Sequence, residues 1–302
     1  AILGPGGDRQ VQAVGEELAD RSVEWTHWDV SRWPGDAPLT LAEGTVEGPV
    51  VGEPVDAAAL DAVYFRQLGL TPTADEYAAD LDERPYSLLN QLDEYRGLFL
   101  SLLYTLEARG VTVLNSPRSM QFHSTKPYQL SLFADEDLPV PETLSTTDPE
   151  AVRSFVDRVG EAVYKPVSGG GHARPVTAES LSEERLARLS NVPVTFQERV
   201  DGTNLRLFVV DGRVVAAGAI HSDELDYRLG DHRVERVDPD DDVASAAVRA
   251  ADLLDLRFAG VDVIETDDGF RLLEANPSPM FAAFDERAGT DVAGHLAAAL
   301  AP

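Results

Sequence analysis

The segment from Gly260 to Pro279, GVDVIETDDGFRLLEANPSP, constrains this chain more than any other. It reads as two antiparallel strands around Asp267-Asp268-Gly269, where Gly269 supplies the positive φ that the last position of a three-residue hairpin loop needs. Such a loop predicts Thr266 opposite Phe270 and, counting back, Asp262 opposite Glu274. Alternation then puts Phe270, Leu272, Glu274 and Asn276 on one face, with Asp262 beside them from across the pair. Carboxylates that face each other destabilise a sheet unless a cation lies between them. Two carboxylates and an amide carbonyl are hard oxygen donors. They are fewer than the about six to eight oxygens that Ca2+ takes, and they suit Mg2+ or Mn2+ shared with phosphate oxygens. Pro277 and Pro279 stop the second strand and so hold Asn276 at its end. The competing reading is an acidic surface hairpin in a protein adapted to salt.

Composition decides how much weight that competitor carries. The chain has 53 acidic residues against 25 basic ones, a formal charge of −28 spread along its 302 residues. Such a charge disfavours nucleic acid as a partner and fits a salt-rich cytoplasm that screens self-repulsion, as in salt-in halophiles. Of the 25 basic residues only Lys126 and Lys165 are lysines, leaving 23 arginines, so these two invite a functional explanation. With 43% hydrophobic residues the chain buries a sizeable core and divides into two or three domains. It has no cysteine, hence no disulfide framework and no thiolate chemistry. No run of about eighteen apolar residues crosses a membrane, and AILGPGGDRQ lacks the basic-then-apolar order of a signal peptide, so a cytoplasmic location is expected.

Taken in order, residues 2–4, the Gly4-Pro5-Gly6-Gly7 loop, a helix to about Asp20 and Val23 to Trp28 read as strand, loop, helix, strand, an open α/β start. The glycine loop lacks the dinucleotide spacing and reads as a plain loop. Residues 38–54 suggest a hairpin, and Asp61 to Arg66 a buried strand that ends in a candidate anion contact, Arg66. Tyr86 to Arg109 is a long helix whose leucines, Leu88, Leu89 and Leu92 among them, read as core, closed by Gly110. After the strand Val111 to Leu114, the turn Asn115-Ser116-Pro117 marks a boundary. Ser124-Thr125-Lys126-Pro127 then opens a helix with Lys126 at its positive end.

A strand over Glu161 to Lys165 leads into Ser168-Gly169-Gly170-Gly171-His172, and Pro175 onward is extended again, so the glycines join two strands. They form either a segment whose N–H groups lie against phosphates or a plain hairpin loop, and the loop alone leaves both open. Val194 to Val200 is a strand, and Asp211-Gly212 joins NLRLFVV to RVVAAGAI, with Asn204, Arg206 and Phe208 on one face. Residues 222–242 read as a charged loop containing Asp226-Tyr227-Arg228. Val243 to Leu254 and Val292 to Leu300 read as helices.

In this order the pieces resemble the ATP-grasp superfamily, and within it the RimK-type carboxylate–amine ligases, specifically from Leu114 onward and more weakly before it. The resemblance implies an α/β fold with a Rossmann-like pre-ATP-grasp domain (1–117), a small ATP-grasp subdomain with the glycine segment (118–192) and a large subdomain with the metal site (193–302). It implies that Asp262, Glu274 and Asn276 hold Mg2+ or Mn2+, two ions in all. Lys126 and Lys165, with Ser168, Gly169, Gly170 and Gly171, would serve the nucleotide. Gln197-Glu198-Arg199-Val200 resembles the hinge whose backbone meets the adenine edge. Arg206 matches an arginine facing the phosphates, and Arg228 one for phosphate or substrate, so these two are the catalytic candidates. Asn204 stands where the family usually has a nucleotide-contacting Asp.

The chemistry implied is ATP-dependent: a carboxylate becomes an acyl phosphate, which an amine of an amino acid or peptide converts to an amide. A phosphotransferase that stops at the first step and a nucleotide-sensing module without turnover are the alternatives. No nucleic acid or membrane partner is expected, and homo-oligomerisation stays open. The six histidines are given no catalytic part, although His172 lies in the glycine segment.

Overall fold

The computed structural model describes residues 1–30, 39–42, 45–47, 59–66, 77–169 and 171–301, with Arg228 described by its backbone alone. Two compact units emerge, one of Ala1–Met120 with Ala293–Pro302 and the other of Gln121–Val292. The last ten residues thus cluster with the first unit, whereas the sequence reading joins them to the preceding hundred.

The first unit is built on a parallel sheet in the order β2-β1-β5-β6, from β1 (Ile2–Gly4), β2 (His27–Asp29), β5 (Ala62–Phe65) and β6 (Thr112–Leu114). A small hairpin of β3 (Thr40–Ala42) and β4 (Thr45–Glu47) falls in the predicted 38–54 region. Asp8 caps the helix Arg9–Asp20 by accepting the Gln10 N–H at 2.7 Å, so the glycine loop after β1 ends as a helix start. Arg66 is 6% exposed and its guanidinium donates to Asp8 at 3.0 Å and to the Tyr64 hydroxyl at 3.2 Å. The candidate anion contact is therefore engaged inside the protein. The helix Pro85–Ala108 buries Leu88, Phe99, Leu102, Leu103 and Leu106. Leu89, predicted as core, is 55% exposed, because one residue turns the helix by about 100° and carries it off the seam that Leu88 occupies.

The second unit carries two antiparallel sheets. The first, in the order β7-β10-β8-β9, uses β7 (Thr143–Thr146), β8 (Ala162–Pro166), β9 (Arg174–Val176) and β10 (Val194–Glu198). Strand β10 lies beyond residue 192, so by sheet membership the smaller sheet ends at Glu198. The second sheet runs β13-β12-β11-β14-β15, from β11 (Thr203–Val210), β12 (Arg213–Ser222), β13 (His232–Arg236), β14 (Phe258–Thr266) and β15 (Gly269–Asn276). Asp211 and Gly212, at φ 46° and 72°, form the tight turn between β11 and β12. Strands β7 and β13 were not anticipated, because both are short and polar and carry no period-2 apolar signal.

Leu205, Leu207, Val209, Val261, Val263, Leu272 and Ala275 pack one face of the larger sheet against Ala247, Ala250 and Ala251 of the helix Asp241–Leu253 and Phe133 of the helix Lys126–Asp135. Small alanines let that helix approach the sheet closely. The opposite face carries Asn204, Arg206, Asp262 and Glu274, and beside them Phe208 and Phe258, which are buried against Phe284 and Phe281.

Candidate functional site

The hairpin of β14 and β15 reaches its predicted pairing by a different route. Thr266 pairs with Gly269, so the loop has two residues and not three, and Glu265 rather than Thr266 faces Phe270. A β-bulge at Leu273 takes up the one-residue difference and restores Asp262 opposite Glu274. The bulge also corrects the predicted face: Leu272 joins Ala275 in the core, while Glu274 lies on the other side. Its cause is visible on the outer edge of β15. Leu272 N–H donates to the Pro139 carbonyl at 2.7 Å and Ala275 N–H to Gln129 Oε1 at 3.1 Å. These outward donors are three residues apart, whereas an unbroken strand repeats every two.

Each facing carboxylate is matched to a cation from another element. Arg206 stands opposite Asp262 in the β11–β14 register and grips it through both Nε and Nη2, the latter at 2.7 Å from Oδ2. Its Nη2 also donates to the Tyr227 hydroxyl at 3.1 Å. Lys126, the first residue of the helix Lys126–Asp135 and followed there by Pro127, forms an ion pair with Glu274. Side-chain exposures of 12% to 20% for all four residues mean that these charges lie largely out of water, where an unpaired one would cost several kcal/mol.

The two acids respond in opposite directions. Burial and the Glu274 charge push the Asp262 carboxyl above its usual range, against the pull of Arg206. At Glu274 burial acts upward, but Lys126, helped by Lys165 and Arg206, outweighs it and holds the carboxyl below its usual range. Arg206 itself is disfavoured by burial and held charged by Asp262 and Tyr227. The pair therefore holds one firmly ionised carboxylate next to one that resists ionisation.

The remaining predicted residues distribute as follows. Asn276 sits opposite Gly260 at the end of β15, with Oδ1 accepting the Ser278 N–H at 2.9 Å and standing 3.3 Å from His123 Nδ1. Lys165, on β8, donates to Gln197 Oε1 at 3.0 Å. Gly169 has φ +83°, and a Cβ there would stand 3.2 Å from Lys126 Cε, so the glycine segment lies directly on that side chain. Gly171 packs on Pro166, where a Cβ would meet Cγ at 2.7 Å. Ser168 lies in the turn after β8, and Gly170 falls outside the described residues. Glu198 and Arg199 donate their N–H groups to Glu142 and Glu161, at 2.9 and 3.0 Å. Val200 follows directly. Asn204 shares the Arg206 face and lines a polar cavity of about 550 Å3 with Thr203, Ser222, His232 and Arg233. The Arg228 side chain lies outside the described structure.

The donors fit a hard divalent cation, with two carboxylates and an oriented amide oxygen on adjacent register positions. Among the described residues no group of three or more His, Cys, Asp or Glu is placed to hold a metal, so a third ligand would be the amide of Asn276 or would come from a bound molecule. Two contributors were not picked out from sequence, His123 against Asn276 and Asp226 against His172, and Gln197, read there only as part of the hinge, also accepts from Lys165. His123 and Asp226 are each a single polar residue in a polar chain, without a spacing that marks it.

Comparison with known proteins gives the family. The RimK-like ATP-grasp domain model matches residues 124–300, and the chain belongs to that family. It is an ATP-dependent carboxylate–amine ligase with an α/β ATP-grasp fold. The chain is similar to a probable alpha-L-glutamate ligase of Mannheimia succiniciproducens, 29% identical over 66% of this chain and 71% of the relative. It is also similar to the tetrahydromethanopterin:alpha-L-glutamate ligase of Methanocaldococcus jannaschii, 28% identical over 62% and 69%. Among solved structures, the ATP-grasp ligase PsnB complexed with a phosphomimetic variant of minimal precursor, Mg and ADP is 37% identical, with a TM-score of 0.86 over 99% of this chain and 96% of that one.

Proposed function

We propose that this ligase acts on a peptide, activating a carboxylate as an acyl phosphate and joining it to an amine. The observation that carries the reading is the pair of facing carboxylates, Asp262 and Glu274, each neutralised by a cation from a separate element. A peptide is favoured over a free amino acid because the precursor-bound ligase is 37% identical to this chain, while the glutamate ligase is 29% identical over its matched part. ADP release in molar KCl, measured with glutamate and with peptides rich in Glu, Asp and Lys, tests this. Stimulation by free glutamate and by no peptide contradicts it.

In this reading Asp262, Glu274 and Asn276 would hold Mg2+, or Mn2+, as two ions. Bound there, the metal supplies positive charge to the phosphate oxygens. Lys126, Lys165 and Arg206 bind the triphosphate, and Arg228 orients the substrate carboxylate. Glu198 and Arg199 have committed their N–H groups, so the Val200 N–H and the hinge carbonyls meet the base. Asn204, an amide where the family has an acid, meets the ribose without adding charge. With the charge of the phosphates offset, a carboxylate oxygen attacks the γ-phosphorus and the bond to ADP breaks. The amine nitrogen then attacks the carbonyl carbon, the bond to phosphate breaks, and the amine loses a proton. The division into parts 1–117, 118–192 and 193–302 is carried here as a proposal, the smaller sheet running on to Glu198.

Lys126→Arg and Lys165→Arg test the phosphate roles. In a chain with 23 arginines, a lysine kept only for charge tolerates Arg. At a phosphate the compact ammonium and the planar guanidinium differ, and Gly169 leaves little width beside Lys126. Each variant is expected to weaken ATP binding or turnover at least about tenfold, roughly 1.4 kcal/mol. Wild-type affinity and ADP release in both would remove these lysines from the site.

The chain is also read as a salt-adapted cytoplasmic protein, supported by its charge of −28, and no helix among the described residues is long and apolar enough to cross a membrane. Raising ionic strength from 0.01 to 1 M shortens the screening length from about 30 to about 3 Å. The melting temperature is expected to rise between low salt and molar KCl, and a flat profile counts against the adaptation.

A further inference from the structure

Among the described residues Asp226, 6% exposed, is the one buried acid, and the other described acids lie nearer to water. A carboxylate is buried at a cost unless donors reward it. Here the donors come from the glycine segment: His172 Nδ1 lies 3.1 Å from Asp226 Oδ2, and the Ala173 N–H donates to the same oxygen at 3.3 Å. The next residue after Asp226, Tyr227, receives Arg206 on its hydroxyl, and Arg206 holds Asp262. At its other end the segment rests on Lys126 through Gly169, and Lys126 holds Glu274. Gly169 on one side, and His172 with Ala173 on the other, are thus each connected to one of the two cation–carboxylate pairs of the site.

We propose that Asp226 is a positioning residue that latches the glycine segment to the loop carrying Tyr227 and Arg228, so that the phosphate-facing backbone and Arg206 are set together. The inference rests on the ligase reading and adds a specific part to it. Asp226 touches neither phosphate nor metal. It acts by fixing the backbone N–H groups after Lys165 where a triphosphate would lie, and by holding Tyr227 where it restrains Arg206. A hydrogen bond to an ionised carboxylate that is largely out of water has enough strength to do this. A purely structural role for the pair predicts a loss of stability alone. A latch predicts a loss of nucleotide affinity with the fold retained.

The test uses the full chain in molar KCl with Mg2+ and ADP, so that no peptide substrate is needed. Amide hydrogen exchange at the Ala173 N–H, which donates to Asp226, reports whether the latch is made, and calorimetry reports ADP affinity. In the wild type ADP and Mg2+ are expected to protect the Ala173 N–H from exchange. Asp226→Ala is expected to lose that protection and to bind ADP at least about fivefold more weakly, and Asp226→Glu to recover part of both. His172→Ala, at a position 42% exposed on its side chain, carries no folding risk and is expected to move in the same direction by less, because the Ala173 N–H remains. If the wild type binds ADP and both Ala variants keep its affinity and protection, the latch is overturned while the ligase reading stands. If the wild type itself does not bind Mg·ADP, the ligase reading fails, and the latch with it.

Discussion

Glu274→Gln is expected to leave the fold intact and to reduce Mg2+-dependent ATP turnover by about a hundredfold or more. The substitution keeps size and hydrogen-bonding shape and removes one negative charge. That charge is firmly present, because Lys126 with Lys165 and Arg206 together outweigh burial and hold the Glu274 carboxyl below its usual range. Its structural cost is small for two reasons. The repulsion with Asp262 directly opposite is relieved, and the amide oxygen that replaces the carboxylate still accepts a hydrogen bond from Lys126. Its functional cost is large, since the site then carries a single formal ligand charge with which to retain the metal. ADP release at limiting Mg2+, beside a thermal melt in the same buffer, checks both halves. Unchanged turnover would make the hairpin an acidic surface feature.

Arg206→Met has the largest expected effect on stability, a loss of about 3 to 5 kcal/mol in the metal-free protein at neutral pH. Met matches the length of the buried part of Arg206 and removes the guanidinium, which leaves Asp262 largely buried and facing Glu274. The loss also depends on pH with a definite sign. The Asp262 carboxyl already lies above its usual range because of burial and Glu274, and removing Arg206 raises it further. An acid whose folded value is raised contributes stability that is fully present below its unfolded value, about 3.9, and lost as pH rises through the folded value. The deficit relative to wild type should therefore be greatest at neutral pH and shrink as pH falls toward about 4. Wild type and variant share every other acid, so the difference between their denaturation curves isolates this one. A deficit that did not change with pH would show that Asp262 is not the residue left uncompensated.

How much of this was legible in the sequence is best judged on the hairpin. The opposition of Asp262 and Glu274 was read through a three-residue loop, whereas the chain uses a two-residue loop and a bulge at Leu273. The two differences cancel in the register and not in the faces, which is why Leu272 was assigned to the wrong side. A bulge without glycine leaves no mark in a sequence, and this one is set by Pro139 and Gln129, more than a hundred residues away in the chain. Asp211-Gly212 was legible because its turn requires positive φ at two successive positions, and few residue pairs supply that. The two lysines stood out only against 23 arginines. The pairing of Lys126 with Glu274 and of Arg206 with Asp262 was beyond reach, because tertiary partners across 148 and 56 positions leave no periodicity. For the same reason Asp226 passed as one acid among many in a charged loop.

The most direct test is a hydroxylamine trap. Wild-type protein in molar KCl would be incubated with ATP, Mg2+ and a panel of peptides containing Glu, Asp and Lys, with hydroxylamine added and the peptides read by mass spectrometry. The account predicts a hydroxamate on an acidic side chain that requires ATP and Mg2+ and disappears in Glu274→Gln. A phosphorylated peptide that is stable to hydroxylamine, formed with ADP release and without any hydroxamate, would contradict it.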